Sequence, residues 1–189
     1  MDASNDVVVR TRSLEGQDLH IVDGLFKPDF VAMLHEIAKR FAFSLYDADT
    51  RETSHVRHWR CDLVPEEMGK HPVLGLWLKQ VELTAAKLFP GVKGTLREAY
   101  CNNHGYGDHQ HPHIDAPSGI TVLYYVNAEW QPDWQGETLL FEGSQDAHHA
   151  VAPRPGRLLM FPASILHRGG TPSRTCFERR LVLVAKFRA

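Results

Sequence analysis

The second half of this chain is punctuated too often for long helices. From about residue 92, short β-rich runs at 94–101, 120–126, 138–141, 157–161 and 180–187 alternate with loops rich in Gly, Pro, His and Asp. Short strands in succession, with no helical period between them, specify an antiparallel sandwich or barrel. The first half reads differently. Residues 20–26 read as a short strand and turn. Pro28 suits the first turn of a helix, and Phe30, Met33, Leu34, Ile37 and Phe41 recur at helical spacing, so a helix should run to about 41. After Pro72, the series Val73, Leu76, Trp77, Gln80, Val81, Thr84 and Leu88 suggests a second amphipathic helix, stopped by Phe89-Pro90-Gly91. Residues 1–18 read as a loosely held polar lead-in, 46–54 as a loop and 55–64 as a weakly alternating strand. The expected class is α+β, mainly β. One domain over 1–189 is expected, with a helical lead-in over about 20–90 packed on a β core over about 92–187.

A chain of 189 residues is about one domain long. Its net charge is −2 and it has no dense Lys/Arg block. A protein that neutralises many phosphates carries a basic face, so nucleic-acid binding is not expected. The longest apolar runs, such as 181–185, fall far short of the roughly 18 residues of a membrane helix. The polar, acidic start Met1-Asp2-Ala3-Ser4-Asn5-Asp6 lacks a signal peptide's basic and apolar regions. Cys61, Cys101 and Cys176 form no CxxC pair, which reads as free thiols in a reducing cytoplasm.

Histidine is in excess, with 12 residues, of which His104, His109, His111, His113, His148, His149 and His167 lie in the second half. The densest chemistry is His109-Gln110-His111-Pro112-His113-Ile114-Asp115. Alternate residues of a strand face one side, so His113 and Asp115 can present an imidazole and a carboxylate to one ion. With a distal histidine they make the two-histidine, one-carboxylate facial triad, which leaves three positions open and suits non-haem Fe(II). The pair alone carries little weight, because twelve His and twelve Asp give roughly 0.8 His-x-Asp pairs by chance.

Its surroundings carry more. After Asp115 come Gly119-Ile-Thr-Val-Leu-Tyr-Tyr-Val-Asn127, then Trp130, then Asp133-Trp134-Gln-Gly-Glu-Thr-Leu-Leu-Phe141. Val151-Ala-Pro-Arg-Pro-Gly-Arg-Leu-Leu-Met-Phe-Pro162, His167-Arg-Gly-Gly-Thr-Pro172 and Arg179-Arg180-Leu-Val-Leu-Val-Ala-Lys-Phe187 follow. This ordered series resembles the prolyl-4-hydroxylase-like branch of the 2-oxoglutarate/Fe(II)-dependent oxygenases, over about residues 94–187. The resemblance implies a double-stranded β-helix, or jelly roll, with iron at its mouth. It implies His113, Asp115 and His167 as ligands, with Fe(II), 2-oxoglutarate and O₂ as the cofactor set. It places a basic residue on the last strand to hold the far carboxylate of 2-oxoglutarate. Arg180 is favoured over Arg179 by aligning the strand end at Phe187. Val182 stands where the family often has Ser or Thr. Tyr125 looks like the family tyrosine that bonds the same carboxylate. Tyr100 resembles one that lines the pocket, with Asn102 beside it. Gln135-Gly136-Glu137-Thr138 resembles the family's Gly-Gly-Glu-Leu turn, with Gln135 in place of the first Gly.

The resemblance implies hydroxylation of an unactivated C–H with release of succinate and CO₂. An intact Asp115 argues against halogenation, since family halogenases replace the carboxylate to admit chloride. A chain close to a bare catalytic core points to a small molecule, free amino acid or short peptide as substrate, with peptidyl-proline second. Two other readings remain. His111-Pro112-His113 with Pro155-Gly156 and His167 also fits a cupin-like metal binder. A nucleic-acid demethylase is opposed by the net charge and by the strand carrying Lys186. His109 and His111 read as loop or substrate-side residues, and His148-His149 as an exposed pair. Trp59, Trp130, Arg57 and Arg60 are open between pocket and packing. Nothing in the sequence fixes the oligomeric state.

Overall fold

Between Arg180 and Lys186 the strand at 180–187 is apolar on both sides, as a strand covered on both faces must be. In the computed structural model, which describes residues 6–92, 94–143 and 146–189, every residue of that strand is buried. The elements in chain order are β1 (Val8–Leu14), β2 (Gln17–Asp23), α1 (Pro28–Ala38), β3 (Ser44–Asp47), β4 (His58–Asp62), α2 (Pro65–Lys70), α3 (Pro72–Leu88) and β5 (Leu96–His104). After them come β6 (Ile120–Tyr125), a 3₁₀ turn (Pro132–Trp134), β7 (Thr138–Glu142), β8 (Asp146–Val151), β9 (Leu158–Pro162), β10 (His167–Gly169) and β11 (Arg180–Phe187).

Eight strands form one sheet in the order β1-β2-β9-β6-β11-β5-β4-β3, and three form a second, β10-β7-β8. All the pairings are antiparallel. The architecture is mainly β, a jelly roll with helices on the outside of its larger sheet. The period of two sorts the side chains. Leu181, Leu183 and Ala185 of β11 join Tyr124 of β6 and Leu34, Trp77 and Val81 of the helices in one core cluster. Val182 and Val184 join Tyr100, Leu123, Tyr125, Leu159 and Phe161 in a second cluster on the opposite face. That face carries the site.

Helix α1 starts with Pro28 in its first turn and Asp29 near its N-terminus, where a carboxylate suits the helix dipole. It buries Val31, Leu34 and Ala38 and ends at Ala38, short of the expected 41, while Met33 is exposed. Helix α3 ends at Leu88 as expected but buries Leu74, Trp77, Leu78, Val81 and Ala85, leaving Leu76 exposed. His71, which carries no sequence pattern, caps α3: its Nδ1 accepts from the amides of Val73 and Leu74 at 3.3 and 3.4 Å.

The segment before residue 90 supplies strands as well as helices. The expected polar lead-in contains β1, paired along its whole length with β2, and the expected 46–54 loop overlaps the end of β3. Both lie at edges of the large sheet, where one flank and one face meet water, so their sequences lack an apolar alternation.

Candidate functional site

Two histidines meet through their backbones. The His113 amide donates to the His167 carbonyl at 2.9 Å, and the His167 amide donates to the His113 carbonyl at 3.0 Å. This isolated antiparallel bridge sets the two residues directly opposite each other, with imidazole centroids 4.6 Å apart. Asp115 follows two residues on. Its amide and that of Ala116 are held by the Ala163 carbonyl at 3.0 and 3.2 Å, which fixes the loop against the end of β9. One donor atom from each of His113, Asp115 and His167 lies within 4.8 Å of the others.

The tautomers follow from the neighbours. His113 Nδ1 lies 2.9 Å from the His111 carbonyl, and His167 Nδ1 lies 3.0 Å from the Ile165 carbonyl. A carbonyl only accepts, so each Nδ1 carries the hydrogen and each Nε2 keeps its lone pair. Burial dominates at His167 and brings its pKa down to about 4, which leaves the ring neutral at physiological pH. Burial opposes the charge on Asp115, but His167, Lys186 and the Thr121 hydroxyl outweigh it and pull its pKa to about 2. Lys186 Nζ stands 2.9 Å from Asp115 Oδ1, and the Thr121 hydroxyl donates to Oδ2. Two imidazole nitrogens and one carboxylate oxygen suit a divalent transition metal.

These groups share a cavity of about 150 Å³ with Asp47, Asp49, Arg60, Tyr100, Asn102, Gln110, Thr138 and Arg180. Arg180 is 2% exposed. Its guanidinium donates to the Gly136 carbonyl at 2.7 Å and to Thr138 Oγ1 at 3.0 Å. Among the described residues no carboxylate lies within ion-pair reach of it. A buried guanidinium satisfied only by neutral oxygens is an anion receptor. Arg179, by contrast, turns outward to the Asn103 side chain and lies 3.3 Å from Asp108. The Tyr125 hydroxyl donates to Thr138 Oγ1 at 2.7 Å, and its ring lies 5.5 Å from the Arg180 Cζ.

Tyr100 is wedged between two cations, with Arg60 Cζ 3.6 Å and Lys186 Nζ 4.9 Å from its ring centroid. Burial raises its hydroxyl pKa to about 12. Asn102 lines the cavity with its buried Oδ1 unpaired. β11 therefore presents Arg180 at one end and Lys186 at the other of the same inward face. The pairing Val184↔Tyr100 and Val182↔Asn102 sets β5 beside it.

Some expected residues stay apart. The His111 ring is outside the three-residue cluster and packs edge-on against His109 at 4.6 Å, so a His-x-His ligand pair is not formed. Trp59 and Trp130 do not line the cavity, and of the pair on β8 His148 is exposed and His149 half-buried. Arg60, open in the sequence between pocket and packing, lines the cavity. Lys186, Gln110, Thr138 and Asp49 line it too, and no local spacing marks them as cavity residues.

Residues 99–187 match the family model of the 2OG-Fe(II) oxygenase superfamily. No curated protein matches the chain. Among solved structures, a prolyl-4-hydroxylase from Pseudomonas putida is similar at a TM-score of 0.68 and 21% identity, over 87% of this chain and 89% of that one. A prolyl hydroxylase from Trichoplax adhaerens, in complex with a hypoxia-inducible-factor peptide, is similar at 0.67 and 17%, over 90% of this chain and 83% of that one. A collagen prolyl hydroxylase from Paramecium bursaria Chlorella virus-1 is similar at 0.61 and 13%, over 100% of this chain and 98% of that one. The superfamily takes Fe(II), 2-oxoglutarate and O₂, and the His113, Asp115 and His167 donor set fits such an ion. Residues 99–187 thus match the 2OG-Fe(II) oxygenase superfamily, and the jelly roll that holds them has a prolyl-4-hydroxylase-like fold.

Proposed function

We propose that His113, Asp115 and His167 hold Fe(II), and that Arg180 clamps the far carboxylate of 2-oxoglutarate with Tyr125, Tyr100 and Asn102 around it. The reaction proposed is hydroxylation of an unactivated C–H: substrate, 2-oxoglutarate and O₂ give hydroxylated substrate, succinate and CO₂. The observation that carries this reading is Arg180, a buried guanidinium in the same cavity as the three ligands, without a carboxylate in ion-pair reach among the described residues. When bound, Fe(II) supplies the coupling of 2-oxoglutarate decarboxylation to oxygen insertion.

The chain's own residues do the rest. Asp115 brings the charge that offsets a divalent ion, and Thr121 and Lys186 orient its carboxylate. The two backbone-held Nδ1–H groups aim both Nε2 lone pairs to one side. Leu123, Val182 and Val184 give the otherwise polar cavity its apolar contacts. At about 150 Å³ the cavity is smaller than the roughly 300–1,000 Å³ of a drug-sized ligand pocket. It suits the co-substrate and one reacting group better than a bulky substrate. A small molecule, amino acid or short peptide fits that limit. Peptidyl-proline is the second reading, supported by the prolyl hydroxylases that share the fold.

Succinate release tests the reaction. Fe(II) and 2-oxoglutarate added without oxygen should give a visible charge-transfer band, and oxygen should then yield succinate. His167→Ala should abolish both. Wild-type protein shown to carry iron but giving neither signal would sink the reading.

A further inference from the structure

His113 is held from behind by two groups, and one of them is distant in sequence. Besides the His111 carbonyl, its Nδ1 lies 3.3 Å from Oδ1 of Asp49. Asp49 belongs to the segment 48–57 between β3 and β4, and its side chain is 2% exposed. The other oxygen of this carboxylate accepts from the His111 backbone amide and lies 3.1 Å from His58 Nε2. One buried anion therefore touches a proposed metal ligand, the backbone two residues before it and the first residue of β4. Carboxylate partners of this kind on metal-bound histidines orient the ring and raise its basicity.

We propose that Asp49 is a positioning residue of the metal centre and couples metal binding to the order of segment 48–57. The Asp49 carboxylate beside His113 Nδ1 braces the ring, whose Nδ1–H bonds the His111 carbonyl, so that Nε2 faces Asp115 and His167. The same carboxylate fastens the segment over the cavity, which Asp47, Ala48 and Asp49 line. A well-ordered segment holds the ligand, and a held ligand holds the segment, so by linkage each favours the other. This inference rests on the metal reading of His113, Asp115 and His167.

The test uses the full chain and Co(II), an oxygen-stable stand-in for Fe(II). Asp49→Ala should weaken Co(II) binding by about 10- to 100-fold. Asp49→Asn keeps an oxygen to accept from His113 and should lose less. Arg51 and Arg57 are exposed in the segment and offer tryptic sites. Co(II) should slow cleavage there in wild type and have little effect in Asp49→Ala. The inference is overturned if Asp49→Ala binds Co(II) as tightly as wild type, or if Co(II) gives wild type no protection at 51 and 57. If Co(II) fails to bind wild type, or binds His167→Ala equally well, the metal reading itself fails. A merely structural Asp49 would lower the melting temperature while leaving Co(II) affinity in the folded protein unchanged.

Discussion

Arg179 and Arg180 are neighbours in the chain, and the pleat sends them to opposite sides of the sheet. Arg179 is exposed and shares its charge with Asp108, while Arg180 is buried among neutral oxygens. Truncating one partner of a buried charge pair costs about 2–5 kcal/mol or more. Arg180→Ala should therefore weaken 2-oxoglutarate binding roughly 30-fold or more, the lower end of that range, and leave Co(II) affinity intact. Arg179→Ala should change it less than about twofold, as expected for a surface group. Titration calorimetry on the metal-loaded protein reads both, and the reverse pattern would exchange the two roles. The same contrast shows what was legible at this scale. His113 and Asp115 were visible because a two-residue spacing fixes their relation locally. His167, Arg180 and Tyr125 needed the order of motifs. Asp49 and Lys186 were silent as cavity residues, and Arg60 ambiguous, because the fold brings them to the cavity from three distant segments.

Elements were legible where both faces are buried. The strands β6, β7, β9 and β11 carry enough apolar residues to show their extent, whereas β8 and β10, polar or only three residues long, do not. The helices announced their existence through proline starts and apolar spacing, but not their rotation. Their buried face is set by contact with the large sheet, which places Val31 and Leu74 inward and Met33 and Leu76 outward. One glycine fixes how close α1 comes. Gly156 lies between β8 and β9 with φ +71°, its amide donates to the Tyr125 carbonyl at 3.0 Å, and a Cβ there would sit 2.8 Å from Val31 Cγ2. Gly156→Ala would strain the left-handed backbone and push the helix, each worth about 1–3 kcal/mol. The expected result is a lower urea midpoint with an unchanged slope. An unchanged midpoint would show that α1 yields freely.

For the molecule as a whole, acid is the predicted weakness. His104 is 2% exposed, neither ring nitrogen has a hydrogen-bond partner, and burial followed by the charge of Arg180 holds its pKa well below 6.5. Burial also lowers His20 and His35. The unfolded chain takes up these protons near pH 6.5 and the folded chain does not, so stability falls as pH drops below about 6.5. His104 alone contributes a slope of at most about 1.4 kcal/mol per pH unit. Melting of the chelator-treated chain between pH 7 and 5 should show the fall, and His104→Gln should flatten it. An equal slope in the variant would remove His104 as a cause. None of the helices among the described residues is long and apolar enough to cross a membrane. The position of β11 has its own consequence. It lies between β6 and β5, yet every other strand of the large sheet precedes it in the chain. As the polypeptide leaves the ribosome, β1-β2-β9-β6 and β5-β4-β3 can form only as two separate ribbons, each with an open edge. The strand that joins them is the one that delivers Arg180, so a nascent chain acquires its continuous large sheet and its buried guanidinium in a single late step.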